Sequence, residues 1–459
     1  MNTDTIAAIA TAMANSGIGI IRMSGNAAIE IADKVFRSKS NQSLKDCKSH
    51  TIHYGYIMNE DEVVDEVLVM IMKAPNSYTR ENTIEINCHG GVLVMQKILE
   101  TVMKYGARPA EPGEFTKRAF LNGRIDLAQA ESVIDIINSK NDFALKSSIS
   151  QLRGKISDKI ANLRKIIIHE TAYIESAVDD PEHYTLDGYA EHLNEVILNL
   201  QNEFQRLLDT ADQGRILQEG IHTVIVGKPN VGKSSVLNVL VGSERAIVTD
   251  VAGTTRDILE EQVNLNGIML NVIDTAGIHE TEDIVEKIGV DKAKQYLENA
   301  DLVLYVLDSS QEMSKEDYKI AEMIRGKNVI ILLNKSDLEQ KAEREEFDQL
   351  SQLSDHIVLI SAKEGNGIDD LTKIIYNMFL NGNITFNDEL VITNIRHKNA
   401  LSETMESLHY VEESIQNQMP EDFYSIDLMH AYETLGTIIG ESVEDDLADE
   451  IFAKFCMGK

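Results

Sequence analysis

The sequence predicts a multidomain α/β protein: an α+β N-terminal region, a helical region, and an α/β block inserted into the helical part. Three observations predict it. Short β-branched runs broken by turn residues fill residues 1–120. From Leu127 the apolar residues recur at steps of three and four, the helical period. From Ile221 to Leu380 short apolar strands alternate with helical stretches, as in a parallel sheet, and helical periodicity returns after Asn383. The expected domains are 1–120, 121–215 (helical, first part), 216–380 (the inserted block) and 381–459 (helical, second part).

In order, the predicted N-terminal strands are Ile18–Met23, Thr51–Ile57, Asp65–Met72 and Thr83–Asn87. Pro75-Asn76-Ser77 and Gly90-Gly91 punctuate them, and a helix is predicted over Val92–Tyr105. Leu152, Ile156, Ile160, Leu163 and Ile167 share one helical face, so 125–212 reads as long helices packed together. The ends of a compact block usually lie close together, which makes its insertion into a helical domain geometrically cheap.

The 459 residues suffice for two to three domains, and 43% hydrophobic residues build ordinary cores. No apolar run nears the roughly 18 residues that cross a bilayer, so no membrane association is expected. Met1–Asp4 lack a basic segment followed by an apolar one, so no signal peptide and a cytoplasmic location are expected. Cys47, Cys88 and Cys456 form no CxxC pair, which argues against a disulfide framework or structural zinc. The formal charge of -32 disfavours autonomous nucleic-acid binding, while leaving room for a local basic patch or a basic partner.

Gly227-Lys228-Pro229-Asn230-Val231-Gly232-Lys233-Ser234 matches the phosphate-loop pattern between a predicted strand, His222–Val226, and a predicted helix, Ser235–Leu240. Glycines let backbone N–H groups approach phosphate oxygens, and the helix N-terminus adds positive potential. Lys233 is expected on the β- and γ-phosphates, and the Ser234 hydroxyl on Mg²⁺. Asp274-Thr275-Ala276-Gly277 follows the strand Met269–Ile273; Asp274 holds the metal through water and the Gly277 amide senses the γ-phosphate. Asn334-Lys335-Ser336-Asp337 follows Asn328–Leu333; the Asp337 carboxylate accepts from guanine N1–H and the exocyclic amine, which adenine does not offer. Ser361-Ala362-Lys363 follows Ile357–Ile360 and covers the base edge. Four such elements in order, each after a strand, identify a Ras-like P-loop GTPase.

Thr249-Asp250-Val251-Ala252-Gly253-Thr254-Thr255, between the first two elements, reads as a switch, with Thr255 completing the Mg²⁺ shell. Ile278 stands where Ras-like enzymes have a water-orienting Gln, so another group must orient the water. No arginine is an evident finger; Asn230 with carbonyls near Thr249–Thr254 can hold a monovalent cation against the developing charge.

Over nearly its whole length the chain resembles the tRNA-modification GTPase MnmE (TrmE) family. The resemblance lies in Asp4–Thr11, Gly17–Arg22, Glu85–Gly91, Pro112–Arg124, Gly253–Asp257 and the Cys-x-Gly-Lys ending Cys456–Lys459. It implies an N-terminal folate-binding domain that forms a homodimer, a helical domain and an inserted G domain. It implies potassium-stimulated GTP hydrolysis and a heterotetramer with an FAD-dependent MnmG (GidA) type protein. Together these install an aminomethyl-type (carboxymethylaminomethyl) group on the wobble uridine of tRNA, with carbon from 5-formyl- or methylene-tetrahydrofolate. By the resemblance Arg22, Glu85, Arg124 and Lys459 contact folate, Asn230, Thr249, Val251 and Thr254 surround K⁺, and Glu286 orients the water. Cys456 stays open between a covalent and a structural role. The chain departs from the family at Ala12–Gly17, in place of Pro-Pro-Gly-Arg-Gly-Gly, and at His279, where Arg is common. Val178–Glu182 lacks the aromatic residue usual there. A nucleotide-gated scaffold without folate chemistry and a ribosome-assembly GTPase are the competing readings.

Overall fold

The computed structural model describes residues 4–39, 42–242, 260–265, 267–274, 296–339, 350–380, 390–441, 451–453, 455 and 458; of 212, 260, 274 and 380 it describes the backbone only. By its contacts the chain divides into two compact units: Met1–Ile137, Ser148–Leu198 and Glu403–Lys459 in one, Asn138–Ser147 and Asn199–Ser402 in the other.

The first unit is built on a sheet with the strand order β3-β4-β5-β6-β2-β1-β7 among the described residues. The strands are β1 Ile6–Ile9, β2 Ser16–Ser24, β3 Phe36–Ser38, β4 Thr51–Asn59, β5 Glu62–Met72, β6 Thr83–Gly90 and β7 Arg108–Pro109. Pairing is antiparallel except between β1 and β7. Successive side chains of a strand face opposite ways. Ile21, Met23, Val67, Val69, Ile71, Ile84 and Ile86 therefore share one face, buried against α1 (Ala28–Val35) and α2 (Val92–Lys104). The intervening residues take the other face, which pairs Arg22 with Glu85 across β2 and β6. That face also leaves Ile52, Tyr54 and Leu68 exposed.

Gly113, at φ +69°, starts α3 (Glu114–Leu121) and passes so close to Phe452 that a Cβ would meet its carbonyl oxygen at 2.4 Å. The buried Arg118 binds Asp4, Glu81 and Glu114, and Arg108 binds Glu114 and Asp4, so α3 is tied to the start of the chain. The helices α4 (Leu127–Asn138), α5 (Asp142–Leu152) and α6 (Lys155–Asp179) follow. Leu152 is not in phase with Ile156, contrary to the sequence reading. Gly154 at φ +87° breaks the helix between them, and the buried stripe of α6 starts at Ile156 and runs through Ile160, Leu163 and Ile167 to Ile174 and Ala177. That stripe packs on the helix Glu421–Ile439, where the Arg164 guanidinium lies 4.0 Å from the Tyr432 ring centroid and donates to the Tyr432 carbonyl.

In the second unit α7 (Tyr189–Asp209) continues from the first, and α8 (Ala211–Glu219) leads into a sheet with the order β13-β12-β11-β8-β10-β9. The strands are β8 Ile221–Val226, β9 Glu260–Leu265, β10 Ile268–Asp274, β11 Leu302–Asp308, β12 Val329–Asn334 and β13 Ile357–Leu359; all neighbours are parallel except β9 and β10. Every residue of β11 and β12 is buried, as expected of central parallel strands covered on both faces. Asn138–Ser147 belongs to this unit because Phe143 packs on Gly267 and the Asn141 amide donates to the Leu217 carbonyl.

Candidate functional site

In the second unit the neighbours of β8 are β11 on one side and β10 on the other, so the chain leaves β8 at a topological switch point. Ligands of open α/β sheets bind in the crevice at such a point, beyond the strands' carboxyl ends. The loop from β8 to α9 (Lys233–Gly242) occupies it, and its backbone demands its sequence. Gly227 at φ +152° would drive a Cβ to 2.4 Å from the Val306 carbonyl oxygen, and Gly232 at φ +99° would drive one to 2.3 Å from Asn334 Nδ2. Asn230 is left-handed at φ +65°, a conformation Asn tolerates better than other non-glycine residues. Lys233 Nζ donates to the carbonyls of Gly227 at 2.9 Å and Lys228 at 3.1 Å, so its ammonium already rests on the loop. Ser234 and Ser235 follow in the exposed first turn of α9.

The Asn334 amide bridges two loops: Nδ2 donates to the Val231 carbonyl at 2.8 Å, and Oδ1 accepts from the Ala362 N–H at 3.0 Å. Its function is to clamp the phosphate loop to the Ser361–Lys363 segment. Asp337 accepts from the Ser361 hydroxyl at 2.8 Å. A cavity of about 490 Å³ is lined by Gly232, Ser235, Asn334, Lys335, Asp337 and Lys363, which brings residues of three of the four predicted elements together. The fourth is represented by Asp274, whose backbone ends β10 opposite Ile225 of β8. Ser234 thus follows β8 and Asp274 ends the neighbouring β10, and hydroxyl and carboxylate are the hard oxygen donors Mg²⁺ takes alongside water and phosphate. Among the described residues no group of three or more His, Cys, Asp or Glu could hold a metal by itself. Thr249–Thr255, Thr275–Gly277, Ile278, His279 and Glu286 lie outside the described residues.

Sequence reasoning missed two carboxylates here. Asp308 ends β11, lies in parallel register with Asn334, and accepts from Lys335 Nζ at 2.6 Å. It also accepts from the N–H and hydroxyl of Ser310. Burial works to raise its carboxyl, but the bonds from Lys335 and Ser310 outweigh that and hold it below the ordinary value. Lys335 itself is left-handed at φ +65°, so this tether fixes an unusual backbone. Asp317 binds Lys228 Nζ at 3.0 Å and caps the helix Lys315–Met323 through Ser314. The available signal for Asp308 was its position: like Asp274 and Asn334, it closes an apolar strand of this sheet.

In the first unit a second constellation forms. Arg22 Nε donates to Glu85 Oε1 at 2.8 Å, and its Nη1 donates to the Gly458 carbonyl at 3.0 Å. The same guanidinium lies 5.7 Å from the Phe115 ring centroid and 5.9 Å from that of Tyr78. Arg124 lies 4.6 Å from the Tyr78 ring centroid, and Tyr78 and Thr116 share a hydroxyl hydrogen bond. Three of the four folate candidates, Arg22, Glu85 and Arg124, therefore converge, with Tyr78 and Phe115 between them as residues the sequence did not single out. Lys459 and Cys456 lie outside the described residues, and Gly458 between them in sequence reaches this site. The other two cysteines are poor nucleophiles: burial pushes the Cys88 thiol up to about 11 and raises that of Cys47.

Residues 5–124 match the family model for the GTP-binding protein TrmE N-terminus, and 127–456 match that for the MnmE helical domain. The tRNA modification GTPase MnmE of Lachnoclostridium phytofermentans is 56% identical over 460 residues, covering 100% of both chains. That of Clostridioides difficile is 48% identical over 99% of both. Among solved structures, Aquifex aeolicus Era bound to GDP·AlF4⁻ aligns with 41% of this chain and 66% of its own, at 32% identity and a TM-score of 0.29. With relatives this similar along its full length, the chain belongs to the tRNA modification GTPase MnmE family.

Proposed function

We propose that this family member is a potassium-stimulated GTP hydrolase. With a flavoprotein partner of the MnmG type, it installs the carboxymethylaminomethyl group at C5 of the wobble uridine of tRNA, using a tetrahydrofolate carbon. The observation that carries the reading is the convergence of Arg22, Glu85, Arg124 and the Gly458 segment around Tyr78 and Phe115. Guanidinium groups suit the carboxylates and ring carbonyl of a folate, Glu85 suits the amine and N–H of its pterin, and the aromatic rings suit its apolar faces. Lys459 adds a further cation, and Cys456 remains a candidate for the modification step.

For hydrolysis, Lys233 leaves the carbonyls of Gly227 and Lys228 for the β- and γ-phosphates, and backbone N–H groups of the loop cradle them. Ser234, Thr255 and Asp274 would hold Mg²⁺, which would neutralise phosphate charge. Asn230, Thr249, Val251 and Thr254 hold K⁺ where a finger arginine would act. Glu286 orients the attacking water. Asp337 selects guanine. The exposed Ile52, Tyr54 and Leu68 on the outer sheet face support the homodimer.

The test is nucleoside mass spectrometry of wobble uridine from cells with and without the protein, beside a folate titration of the purified chain. Loss of the modified nucleoside and saturable folate binding are expected. Unchanged nucleosides would refute the reading, and loss without folate binding would favour a nucleotide-gated scaffold.

A further inference from the structure

Between Lys398 and Lys454 the sequence has no Lys or Arg and fourteen Asp or Glu. The described part of this stretch includes a hairpin of the helices Ile395–Gln416 and Glu421–Ile439. The Ser407 hydroxyl and His430 Nδ1 are 2.8 Å apart, which fixes the faces that lie side by side. Residues three, four or seven apart share a helix face. Tyr410 is therefore on the Ser407 face, and Ile426 and Phe423 follow His430 back towards the connection, where Met419 stands. All four are exposed, Ile426 at 64% and Tyr410 at 46%, while Leu408, Val411, Tyr424, Leu428 and Ala431 supply the buried packing. The fold thus uses one apolar stripe of the hairpin and leaves a second at its tip. Carboxylates surround that tip: Glu406, which accepts from the Tyr410 hydroxyl at 2.8 Å, with Glu413, Glu421, Asp422 and Asp427.

Apolar and aromatic anchors inside a charged rim are the composition of a protein interface. The rim's single sign excludes a phosphate backbone, which needs cations, and selects a surface rimmed by Lys and Arg. We propose that this hairpin tip is the docking surface for the flavoprotein partner, through an apolar pocket of that partner rimmed by basic residues. The inference rests on the function proposed above for the partner's existence.

The test uses the full-length chain and the flavoprotein encoded by the same genome, with affinity measured calorimetrically at low and moderate salt. Phe423→Ser/Ile426→Ser should weaken binding about tenfold or more. Glu413→Lys/Glu421→Lys should weaken binding at low salt and flatten its salt dependence. GTP hydrolysis and melting temperature should match the parent in both, and Ile426→Leu should bind like the parent, which separates lost contact from lost folding. Binding within twofold of the parent by both double variants would overturn the inference. Failure of the parent itself to bind would overturn the partner assignment and the inference with it. A changed oligomeric state of the variants alone would assign the tip to self-contact, and lost tRNA binding with flavoprotein binding intact would assign it to nucleic acid; either overturns the proposal.

Discussion

The guanidinium of Arg22 in β2 donates to the carbonyl of Gly458, 436 residues further along the chain, at a distance of 3.0 Å. Gly458 is buried at φ +91°, and a Cβ on it would meet the Ile9 carbonyl oxygen at 2.6 Å. Gly458 is thus part of the packed N-terminal region. Gly458→Ala forces a left-handed conformation costing about 1–2 kcal/mol on an L residue, besides the overlap. The variant should lose folate affinity and wobble-uridine modification, while GTP turnover stays within about twofold because the nucleotide loops belong to the other unit. Folate titration and GTPase rate on one preparation check it. Parent-like modification would remove the tail from the mechanism.

The Asp308–Lys335 pair makes a separable prediction. On the proposed reading, Asp337→Asn would put an NH₂ against guanine donors, and loss of a bond to a charged group should lower GTP affinity roughly 10- to 150-fold and relax base preference. Asp308→Asn removes only the tether of Lys335. It should lower affinity for GTP and ATP analogues in the same proportion, about 3- to 30-fold. Dissociation constants for both nucleotides in the two variants decide this; a changed guanine preference in Asp308→Asn would contradict the tethering role.

Potassium dependence is best tested with two substitutions at one position. Asn230→Ala removes the amide but strains a backbone at φ +65°, whereas Asn230→Gly removes it without strain. Both should lose most of the rate difference between K⁺ and Na⁺ at matched ionic strength, and Asn230→Gly should keep nucleotide affinity within about threefold of the parent. Equal rates of the parent in the two salts would dismiss the cation site.

The ion-pair network at the start of α3 sets a pH dependence. Hydrogen bonds from Arg108, followed by those from Arg118, hold the Asp4 carboxyl below its ordinary value of 3.8. Burial raises Glu114, but Arg108, the Glu111 amide and Arg118 outweigh it and hold it below 4.5. Groups depressed on folding stabilise the protein above their unfolded values and lose that contribution as pH falls through their folded values. The first unit should therefore lose stability as pH drops below 4.5, with the loss continuing below 3.8. Arg118→Leu removes the cation of Glu81 and one of the two cations of Asp4 and Glu114, which keep Arg108; it should destabilise by about 1.5–3 kcal/mol at neutral pH and flatten the acid slope. Thermal melts across pH 3–7 (roughly the range that brackets ordinary carboxylates) measure both effects.

The sequence by itself determined the strands beside the nucleotide motifs, four strands of the N-terminal sheet and the long helices, whereas β1, β3, β7, β9 and β11 were not singled out in it. Period and turn chemistry are local, so β8, β10, β12 and β13 are each legible beside the motif that follows them. Its one helical misreading, Leu152 in phase with Ile156, arose because apolar spacing continues across a glycine whose left-handed backbone ends the helix. Alternation also shows that Ile21 and Arg22 face opposite sides of a strand. It does not show what Arg22 meets, because Glu85 comes opposite it only through the register of β2 on β6. Asp308 and Lys335, 27 residues apart, become partners only when β11 and β12 align in parallel. Strand register, and with it the pairing of Arg22 with Gly458, depends on the summed burial of whole sheets and helices. The tertiary structure alone decided those contacts, because that sum is a property of the assembled core and of no local window of sequence.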